Sequence, residues 1–581
     1  LGANVGNDGV ISAQLGTVAL AAGNAITLDV AGDGLLNVTV NEGAMNALAQ
    51  NGGLIQADGG QVLLTSRSAS ALLPSAVNNT GVIRAQTLVT GEDGSIMLMG
   101  DMQSGTVNVG GTLDASAPVG GNGGFVETSA AYVKIANDVK ITTAAAQGVT
   151  GNWLIDPVDF NIQAVGGDIA GTTLAQMLVT NNVTISTVET GSNTATNLFA
   201  APGQGDINVN DAIGSGAPLW TATPNTTTLT LNAFRDVNVN AAITATNGNV
   251  VACCGRDVNV RAAITTTNGS VLLGAGRDVT LFNTGAITTT DGNITMCAGN
   301  DVIVDGKIVL TRAATVPSQS LGLADGLVLS AGNDGTGPGV AGGAVTIALR
   351  VDPSTVTDAP VTINYKPVSY TTPTDYSPAT FFVRTRSPLT QHMLVFPDGG
   401  SKDYDGNTAT ALSGLKGNPV GVTLVAGSGS TANFDTPDVG IGKTVTFDGY
   451  SLAGANAAQY ILPISCCAPV VARTTANINA VVVPPVVVPP VVVPPVEILP
   501  DLPYEGPIVR PGVTAPTWMP VVVPAGTPPE LFTLAPPPPP APSPVVVPPV
   551  LVVEQPPVIV APEAPPEIYV APKRAPKQDR N

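Results

Sequence analysis

Four aspartates recur along the middle of the sequence at a nearly constant spacing, and carboxylates are groups that bind calcium or cleave glycosidic bonds. They are Asp236, Asp257, Asp278 and Asp301, and the first three directly follow Arg235, Arg256 and Arg277. Carboxylate oxygens suit Ca²⁺, and a carboxylate pair serves glycoside hydrolysis as acid and base. However, an aspartate before a strand also hydrogen-bonds its own backbone, and a neighbouring arginine offsets its charge. We therefore expect a structural column without catalytic or metal-binding residues.

Two further motifs resemble reactive sites but lack their essential parts. The segment PDVGIGKT at 437–444 resembles a phosphate-binding loop, yet Pro437 stands where that loop needs glycine, and Val445 to Phe447 alternate as in a strand. His392 is the only histidine, and no G-x-S-x-G sequence surrounds a serine. We expect no nucleotide, no cofactor and no enzymatic activity, and the residues that bind a partner are not identified at this stage.

The composition favours strands and turns over helices. Of 581 residues only 11% are charged and 4% aromatic, while there are 65 glycines and 50 prolines. The net charge of −19 opposes binding to nucleic acid or to an anionic membrane, because both require a basic face. The longest apolar run, 480–496, is interrupted by proline pairs, so we expect no membrane insertion.

A repeat dominates the centre of the chain. It reads RDVNVNAAITATNGNVVACCG from Arg235, RDVNVRAAITTTNGSVLLGAG from Arg256 and RDVTLFNTGAITTTDGNITMCAG from Arg277, and a fourth unit begins at Asn300. Self-similarity at a period near 21 residues is typical of a solenoid. Each unit contains one N-G or D-G pair, which suits either a hairpin or a stacked turn. We favour stacked turns of a parallel β-helix, and at this period residues 1–350 would form roughly 16 coils.

The repeat alignment also assigns directions to three of the five cysteines. Cys254 lies in the column of inward side chains, so we expect it to fill the core. Cys253 and Cys297 fall in the opposite column two coils apart, a separation of roughly 10 Å that exceeds disulfide reach. We therefore expect both to be surface thiols. The remaining pair is Cys466-Cys467, and the spacing of the five does not suit zinc.

Three ordered stretches resemble the filamentous-haemagglutinin family of two-partner secretion exoproteins. They are GLIQADGGQVLLTSRSASALLPSAVNNTGVIRAQ from Gly53, GGTLDASAPVGGNGGFVETSAAYVKI from Gly110 and GNWLIDPVDFNI from Gly151. The resemblance covers about residues 1–350. It implies a right-handed β-helix, export through a dedicated outer-membrane pore, and adhesion. The family's N-terminal secretion domain has no counterpart in the sequence, so we expect the chain to start just after it.

A second resemblance concerns a small module near the C-terminus. SKDYDGNTATALSG from Ser401, GKTVTFDGYSLAGANAAQYIL from Gly442 and TTANI ending at Ile478 resemble the YDG-type β module of such adhesins. We expect Tyr404-Asp405-Gly406 to form a turn, with Tyr404 packed on the sheet.

These patterns predict an all-β chain divided into five parts. They are β-helix coils at 1–150, β-helix with 21-residue repeats at 151–350 (clearest at 235–304), an adapter at 351–397, a β-sandwich-like YDG module at 398–480 and a proline-rich tail at 481–581. The VVVPP repeats and five consecutive prolines of the tail favour polyproline II or disorder.

The function that we expect is that of a secreted adhesin on the bacterial cell surface, associated with the outer membrane. Its partners would be the secretion pore and a glycan or protein receptor on host cells, other bacteria or surfaces. One alternative is a β-helical polysaccharide-active enzyme, which needs a groove of acidic and basic side chains. The other is the shaft of a contact-dependent toxin-delivery protein, which should end in a globular toxic domain.

Overall fold

The solenoid is formed by parallel sheets that share every coil. The computed structural model describes residues 1–29, 37–70, 75–88, 93–187, 205–313, 321–464 and 472–481, and nearly all regular structure in them is β-strand. Consecutive strands belong to different sheets, and each pairs in parallel with its equivalent in the next coil. This confirms the predicted all-β parallel β-helix.

Most of the described coils run from a long sheet to a second face, then to a third face, and back. The long sheet contains Thr17–Ala22, Gln61–Ser66, Ser95–Met99, Phe125–Ser129, Asn152–Asp156, Asn182–Ser186, Thr227–Ala233, Gly248–Cys254, Val271–Ala275, Ile294–Ala298, Leu327–Ser330, Val361–Tyr365, Leu389–Leu394 and Tyr460–Ile461. The second face contains Asn4–Asn7, Leu48–Asn51, Ser75–Asn79, Gly105–Val109 and Tyr132–Ile135, followed by Phe160–Ile162, Ile207–Val209, Val237–Val239, Val258–Val260, Val279–Leu281, Val302–Val304 and Val345–Ile347. The third face contains Val10–Ser12, Leu54–Gln56, Val82–Arg84, Thr112–Asp114 and Lys140–Thr142, followed by Trp220–Thr221, Ile243–Thr246, Ala263–Thr267, Ala286–Thr290, Lys307–Thr311, Ser354–Thr357 and Phe382–Thr385.

The core consists of columns of apolar side chains that alternate with outward polar ones. In the long sheet Val250, Val271 and Ile294 are directly paired and fully buried. Branched side chains of similar size stack well in such columns, since every coil presents the same small interior. The two large exceptions, Trp153 and Trp220, are also buried, and each indole donates to a threonine hydroxyl.

The predicted repeat register is the one observed. Val237 pairs with Val258 and Val258 with Val279, at the offset of 21 residues. The first residue of each N-G or D-G pair has a left-handed φ, which asparagine and aspartate tolerate: Asn247 at 54°, Asn268 at 53° and Asp291 at 55°. The pairs are therefore stacked turns, as predicted, and not hairpins.

The number of coils differs from the expectation. Among the described residues, eleven strands of the long sheet precede residue 350, where a uniform period predicted roughly 16. Many coils are longer than 21 residues because they carry insertions. The antiparallel hairpin Ala25–Asp29 with Asn37–Glu42 lengthens the first coil, and the helix Gly171–Met177 lengthens a later one. None of the helices in the described ranges is both long and apolar enough to cross a membrane.

The region expected to be an adapter, 351–397, contributes strands to the same sheets. Ser354–Thr357 and Phe382–Thr385 continue the third face, and Val361–Tyr365 and Leu389–Leu394 continue the long sheet. The solenoid thus extends to Leu394. Its apolar alternation is hidden in sequence by the polar segment 366–381 between two of these strands.

The C-terminal module has a sheet and a core of its own. Its described strands form a four-stranded mixed sheet, in the order Lys402–Asp403, Arg473–Asn479, Gly440–Ala453 and Thr423–Phe434, and a ribbon of Pro397–Asp398 with Gly414–Leu415. Its core contains Phe434, Val445 and Ile478. A short 3₁₀ helix, Ala457–Gln459, precedes the last strand of the long sheet. The predicted proline-rich tail, 481–581, lies outside the described residues except for Val481.

Candidate functional site

The aspartate column forms a series of ion pairs between neighbouring coils, which we name the staircase. Arg256 donates from Nε to Oδ1 of Asp236 at 2.7 Å, and its Nη2 donates to the other oxygen of that carboxylate. Arg277 binds Asp257 in the same way, with 2.8 Å between Nε and Oδ1. Each arginine thus forms its two-pronged contact with the coil before its own.

The same carboxylates hold the backbone of the following coil. The amide of Asp257 donates to Oδ1 of Asp236 at 3.2 Å, and the amide of Asp278 donates to Asp257 at 3.3 Å. Aspartate therefore bonds the next coil here, and not its own backbone as the sequence suggested. Oxygens engaged in this way are poor ligands for calcium. No cluster of three or more potential metal ligands is found in the described part of the chain.

His392 and Lys443, which belong to the two other motifs that resemble reactive sites, both lie in β-strands. His392 lies at the end of the long sheet, where its Nδ1 is 2.9 Å from Oδ1 of Asn364, and burial lowers its pKa. Lys443 of the loop-like segment lies within the strand Gly440–Ala453 and pairs with Asp435 at 3.0 Å. A phosphate loop would need a helix at this point.

The YDG motif forms the predicted turn, but the position of Tyr404 was predicted wrongly. Gly406 has a φ of +77°, and the amide of Asn407 donates to the Asp405 carboxylate at 2.9 Å. Lys402 also donates to Asp405. Tyr404 is 48% exposed and does not pack into the module core. The strand Lys402–Asp403 ends at the sheet edge, so the next side chain projects beyond it.

The cysteine prediction was correct for one residue and wrong for two. Cys254 is a buried free thiol, as expected. Cys253 and Cys297 are buried and disulfide-bonded, and are not surface thiols. Gly274 lies between Cys253 and Cys297 in the ladder, so these two cysteines are not bonded to each other. The separation of two coils used in the sequence analysis excluded only a bond between these two, and did not exclude bonds to other cysteines. The pair Cys466-Cys467 lies outside the described residues.

Two acidic residues that the sequence reasoning missed lie on the outer side of the long sheet. They are Glu127 and Asp156. Glu127 pairs with Leu154 of the next coil, and Asp156 lies two residues after Leu154 in the same strand. One carboxylate oxygen of Asp156 is buried without a hydrogen-bond partner among the described residues. Burial, with a contribution from the charge of Glu127, raises the pKa of Asp156 to about 6. A carboxyl group with a raised pKa beside a second carboxylate is an arrangement suited to acid–base chemistry.

A column of mostly amide side chains runs along the second face, and we name it the amide face. It consists of Gln50, Asn78, Asn108, Lys134, Asp168, Asn161, Asn208, Asn238 and Asn259. Each projects from its strand between two inward, buried residues, except Asp168, which lies between the two sheets of this face. The column therefore continues from coil to coil along the solenoid.

Hydrogen bonds between neighbouring coils order this column. Asn108 donates to Asn78 at 2.7 Å, and Asn238 donates to Asn208 at 3.0 Å. At the junction of the two sheets, Lys134 donates to Asp168 at 2.6 Å. The side chains are thus held in position before any ligand arrives.

The N-terminal half of the amide face lines a groove of about 590 Å³. Gln50, Asn108 and Lys134 are exposed in it, and Asn78 is half-buried. The residues that directly follow these four strands, Gly52, Thr80, Gly110 and Ala136, also line the groove. A shallow, polar, ordered groove is suited to binding an extended ligand.

A signal for this surface was present in the sequence. The tripeptides F-N-I, I-N-V, V-N-V and V-N-V place Asn161, Asn208, Asn238 and Asn259 between inward apolar residues. An asparagine in this position recurs with the coil period, although the first occurrences fall outside the clear 21-residue repeat. Because the long coils hide the register, the column becomes visible only when the strands are paired.

Comparison with known families identifies one part of the chain. Residues 392–466 match the YDG domain. This agrees with the module predicted from the Tyr404-Asp405-Gly406 motif, and its range begins at the last long strand of the solenoid. No curated protein matches the chain.

Proposed function

We propose that this chain is a secreted bacterial surface adhesin exported by two-partner secretion. The observation that carries the proposal is the amide face, an ordered polar surface that extends over many coils. The resemblance of residues 1–350 to the filamentous-haemagglutinin family and the YDG domain at 392–466 support the same function.

Binding accounts for the amide face better than catalysis does. Amide side chains neither titrate near neutral pH nor act as nucleophiles, but each can donate and accept hydrogen bonds. The charged column beside it is neutralised by pairs such as Arg256 with Asp236. A repeated surface of this kind provides several equivalent contacts to one ligand, which is the requirement for attachment.

The disulfide-bonded cysteines support export. Disulfides persist outside the reducing cytoplasm, and Cys253 and Cys297 are both bonded. A partner pore in the outer membrane and a receptor on host cells, other bacteria or surfaces are the partners that this proposal requires. The net charge of −19 argues against nucleic acid as a further partner.

Deleting the gene in the source bacterium tests this function. We expect the deletion strain to attach less to host cells and abiotic surfaces, and complementation with the intact gene to restore attachment. Deletion of the partner pore should retain the chain inside the cell, as detected with antibody on intact cells. Unchanged attachment of the deletion strain, with equal growth, would refute the adhesive function.

A polysaccharide-active enzyme remains the second candidate, and Glu127 with Asp156 is the observation that favours it. A carboxylic acid with a pKa of about 6 next to a second carboxylate is the arrangement that glycoside hydrolysis uses. The purified chain would then release reducing ends from polysaccharide, and Asp156→Asn would abolish the release. No release from a broad panel of polysaccharides would reject this candidate.

A further inference from the structure

We infer that the amide face binds a neutral, hydroxyl-rich oligosaccharide, an inference that rests on the adhesive function proposed above. It assigns a ligand class and a position to a receptor site that the sequence alone left open. Four features support it: the free hydrogen-bonding groups of the amide face, its periodicity, an exposed aromatic ring on the same side of the sheet, and the charge of the groove.

The free hydrogen-bonding groups match adjacent hydroxyls. The bond between Asn108 and Asn78 uses Nδ2 of the first and Oδ1 of the second. Within the described residues, Oδ1 of Asn108 and Nδ2 of Asn78 take part in no further hydrogen bond. One acceptor and one donor therefore lie side by side at the surface. Two neighbouring hydroxyls of a sugar ring, each both donor and acceptor, complement this pair.

The period of the column suits a chain of sugars. Successive coils of a parallel β-helix are roughly 4.8 Å apart, a step close to the length of one pyranose unit. From Gln50 to Asn259 the column therefore extends on the order of 40 Å. A linear oligosaccharide lying along it would meet a similar set of amides at each sugar. This explains why the face repeats one side-chain type and does not form a single pocket.

Tyr132 supplies an apolar surface beside the amides. It is 58% exposed and lies two residues before Lys134 in the same strand, so both project from the outer side of the sheet. The C–H side of a sugar ring packs on the face of an aromatic ring. Tyr132 would thus fix one sugar of the chain while the amides bind its hydroxyls.

The charge of the groove favours a neutral ligand over an anionic one. The cation of Lys134 is paired with the carboxylate of Asp168 at 2.6 Å. Asp8, which also lines the groove, adds a further negative charge. Sulfated or uronic chains would meet repulsion here, whereas hydroxyl groups would not.

Glycan binding by the full-length chain tests this inference. Neutral linear oligosaccharides of increasing length and a sulfated polysaccharide would be titrated against the intact protein and against the double variant Asn78→Ala with Asn108→Ala. We expect affinity to grow with the length of the neutral chain and to fall by about tenfold in the double variant. Tyr132→Ala should weaken binding similarly, while Tyr132→Phe should retain it, since the ring is preserved.

A matched control separates loss of contact from loss of fold. Asn152→Ala removes an outward asparagine of the long sheet that also bonds the next coil, through the hydroxyl of Thr184, and it should bind as the unaltered chain does. Circular dichroism would verify that each variant keeps its β-structure.

Three outcomes would overturn the inference. They are preferred binding of the sulfated polysaccharide, equal affinity of the double variant, and no glycan binding by a chain that still mediates attachment. The last outcome leaves the adhesive function intact and points to a protein receptor. Failure of the adhesive function itself gives a different result, because the deletion strain would then attach as well as the parent strain.

Discussion

Arg256 forms an ion pair with Asp236 of the preceding coil, with 2.7 Å between Nε and Oδ1. The same oxygen accepts the backbone amide of Asp257, so one carboxylate joins a side chain and a main chain of the next coil. The pair is largely shielded from water, with 20% of the arginine side chain and 9% of the aspartate side chain exposed. The staircase therefore couples each coil to the one before it, beyond the strand hydrogen bonds.

Replacing Arg256 with methionine should destabilise the solenoid by about 3 kcal/mol, because the shielded carboxylate of Asp236 loses its counter-charge. Urea unfolding followed by circular dichroism would measure the change. Arg261→Met is the control, since Arg261 is exposed and its side-chain hydrogen bonds are 3.3 Å or longer. Adding Asp236→Asn to Arg256→Met should recover part of the loss. Equal stability of the two single variants would contradict the role of the staircase.

Asparagine columns inside and outside the solenoid should differ in their contribution to stability. Asn51 is buried, donates to Asn79 at 2.9 Å and accepts from Asn7 at 2.8 Å. Asn51→Ala leaves those partners unsatisfied and should cost about 2 kcal/mol. Asn108→Ala on the exposed column should change stability by less than about 0.5 kcal/mol. Thermal unfolding of the two variants gives the comparison, and a larger loss for Asn108 would show that the amide face is structural.

The solenoid could be predicted from sequence because its determinants are local and repeated. The register of Val237, Val258 and Val279 and the left-handed turn at Asn268 follow from alternation and from N-G pairs. The coils before residue 235 and after 304 obey the same physics, but insertions of different length remove the period. The alternation of apolar and polar residues therefore indicated strands in these coils, but it did not show which strands pair with each other.

The candidate site could not be predicted, because it depends on which outward residues become neighbours. Asn78 and Asn108 are thirty residues apart, and only the parallel pairing brings them together. The environment of Cys297 likewise depends on residues distant in sequence, since Asn333 donates toward its sulfur. The predicted packing of Tyr404 was wrong for the opposite reason. A turn motif fixes the backbone locally, but the side chain packs only if the sheet extends beneath it.

The raised pKa of Asp156 predicts a pH dependence with a definite sign. Its folded-state pKa of about 6 lies above the ordinary value of 3.8, so the native state binds a proton that the unfolded state does not bind between these values. This contribution to stability should grow as the pH falls through 6 and be complete below 3.8. At pH 7 the buried charge opposes folding, and Asp156→Asn should stabilise the chain by about 1 kcal/mol after solvent screening.

Unfolding of the Asp156→Asn variant and of the unaltered chain, each at pH 7 and pH 5, isolates this group from the other carboxylates. The stability difference between the two proteins should shrink at the lower pH. A difference that is constant with pH would contradict the assigned pKa shift.

The cysteines should differ sharply in reactivity. In the folded, unreduced chain Cys253 and Cys297 should resist alkylation because they are disulfide-bonded, and Cys254 because burial raises the pKa of its thiol. Unfolding without reduction should make only Cys254 reactive, whereas Cys253 and Cys297, which are buried as well as bonded, should react only after unfolding and reduction together. Mass spectrometry of peptides would assign each modification and identify the partner of each bonded cysteine. Replacing Cys253 and Cys297 with serine should cost about 3 kcal/mol, whereas free Cys253 in the exported protein would contradict the bonding.

The glycine column at the stacked turns should be the least tolerant part of the repeat. A methyl group on Gly269 would lie 1.9 Å from the carbonyl oxygen of Gly248, and one on Gly292 would lie 1.8 Å from that of Gly269. These atoms belong to the backbone, so the coils themselves would have to separate, and Gly269→Ala should cost about 3 kcal/mol. Gly216→Ala is the control, since nothing lies within 4 Å of its added carbon. If urea unfolding gave equal stabilities, the stacked-turn geometry at Gly269 would be contradicted.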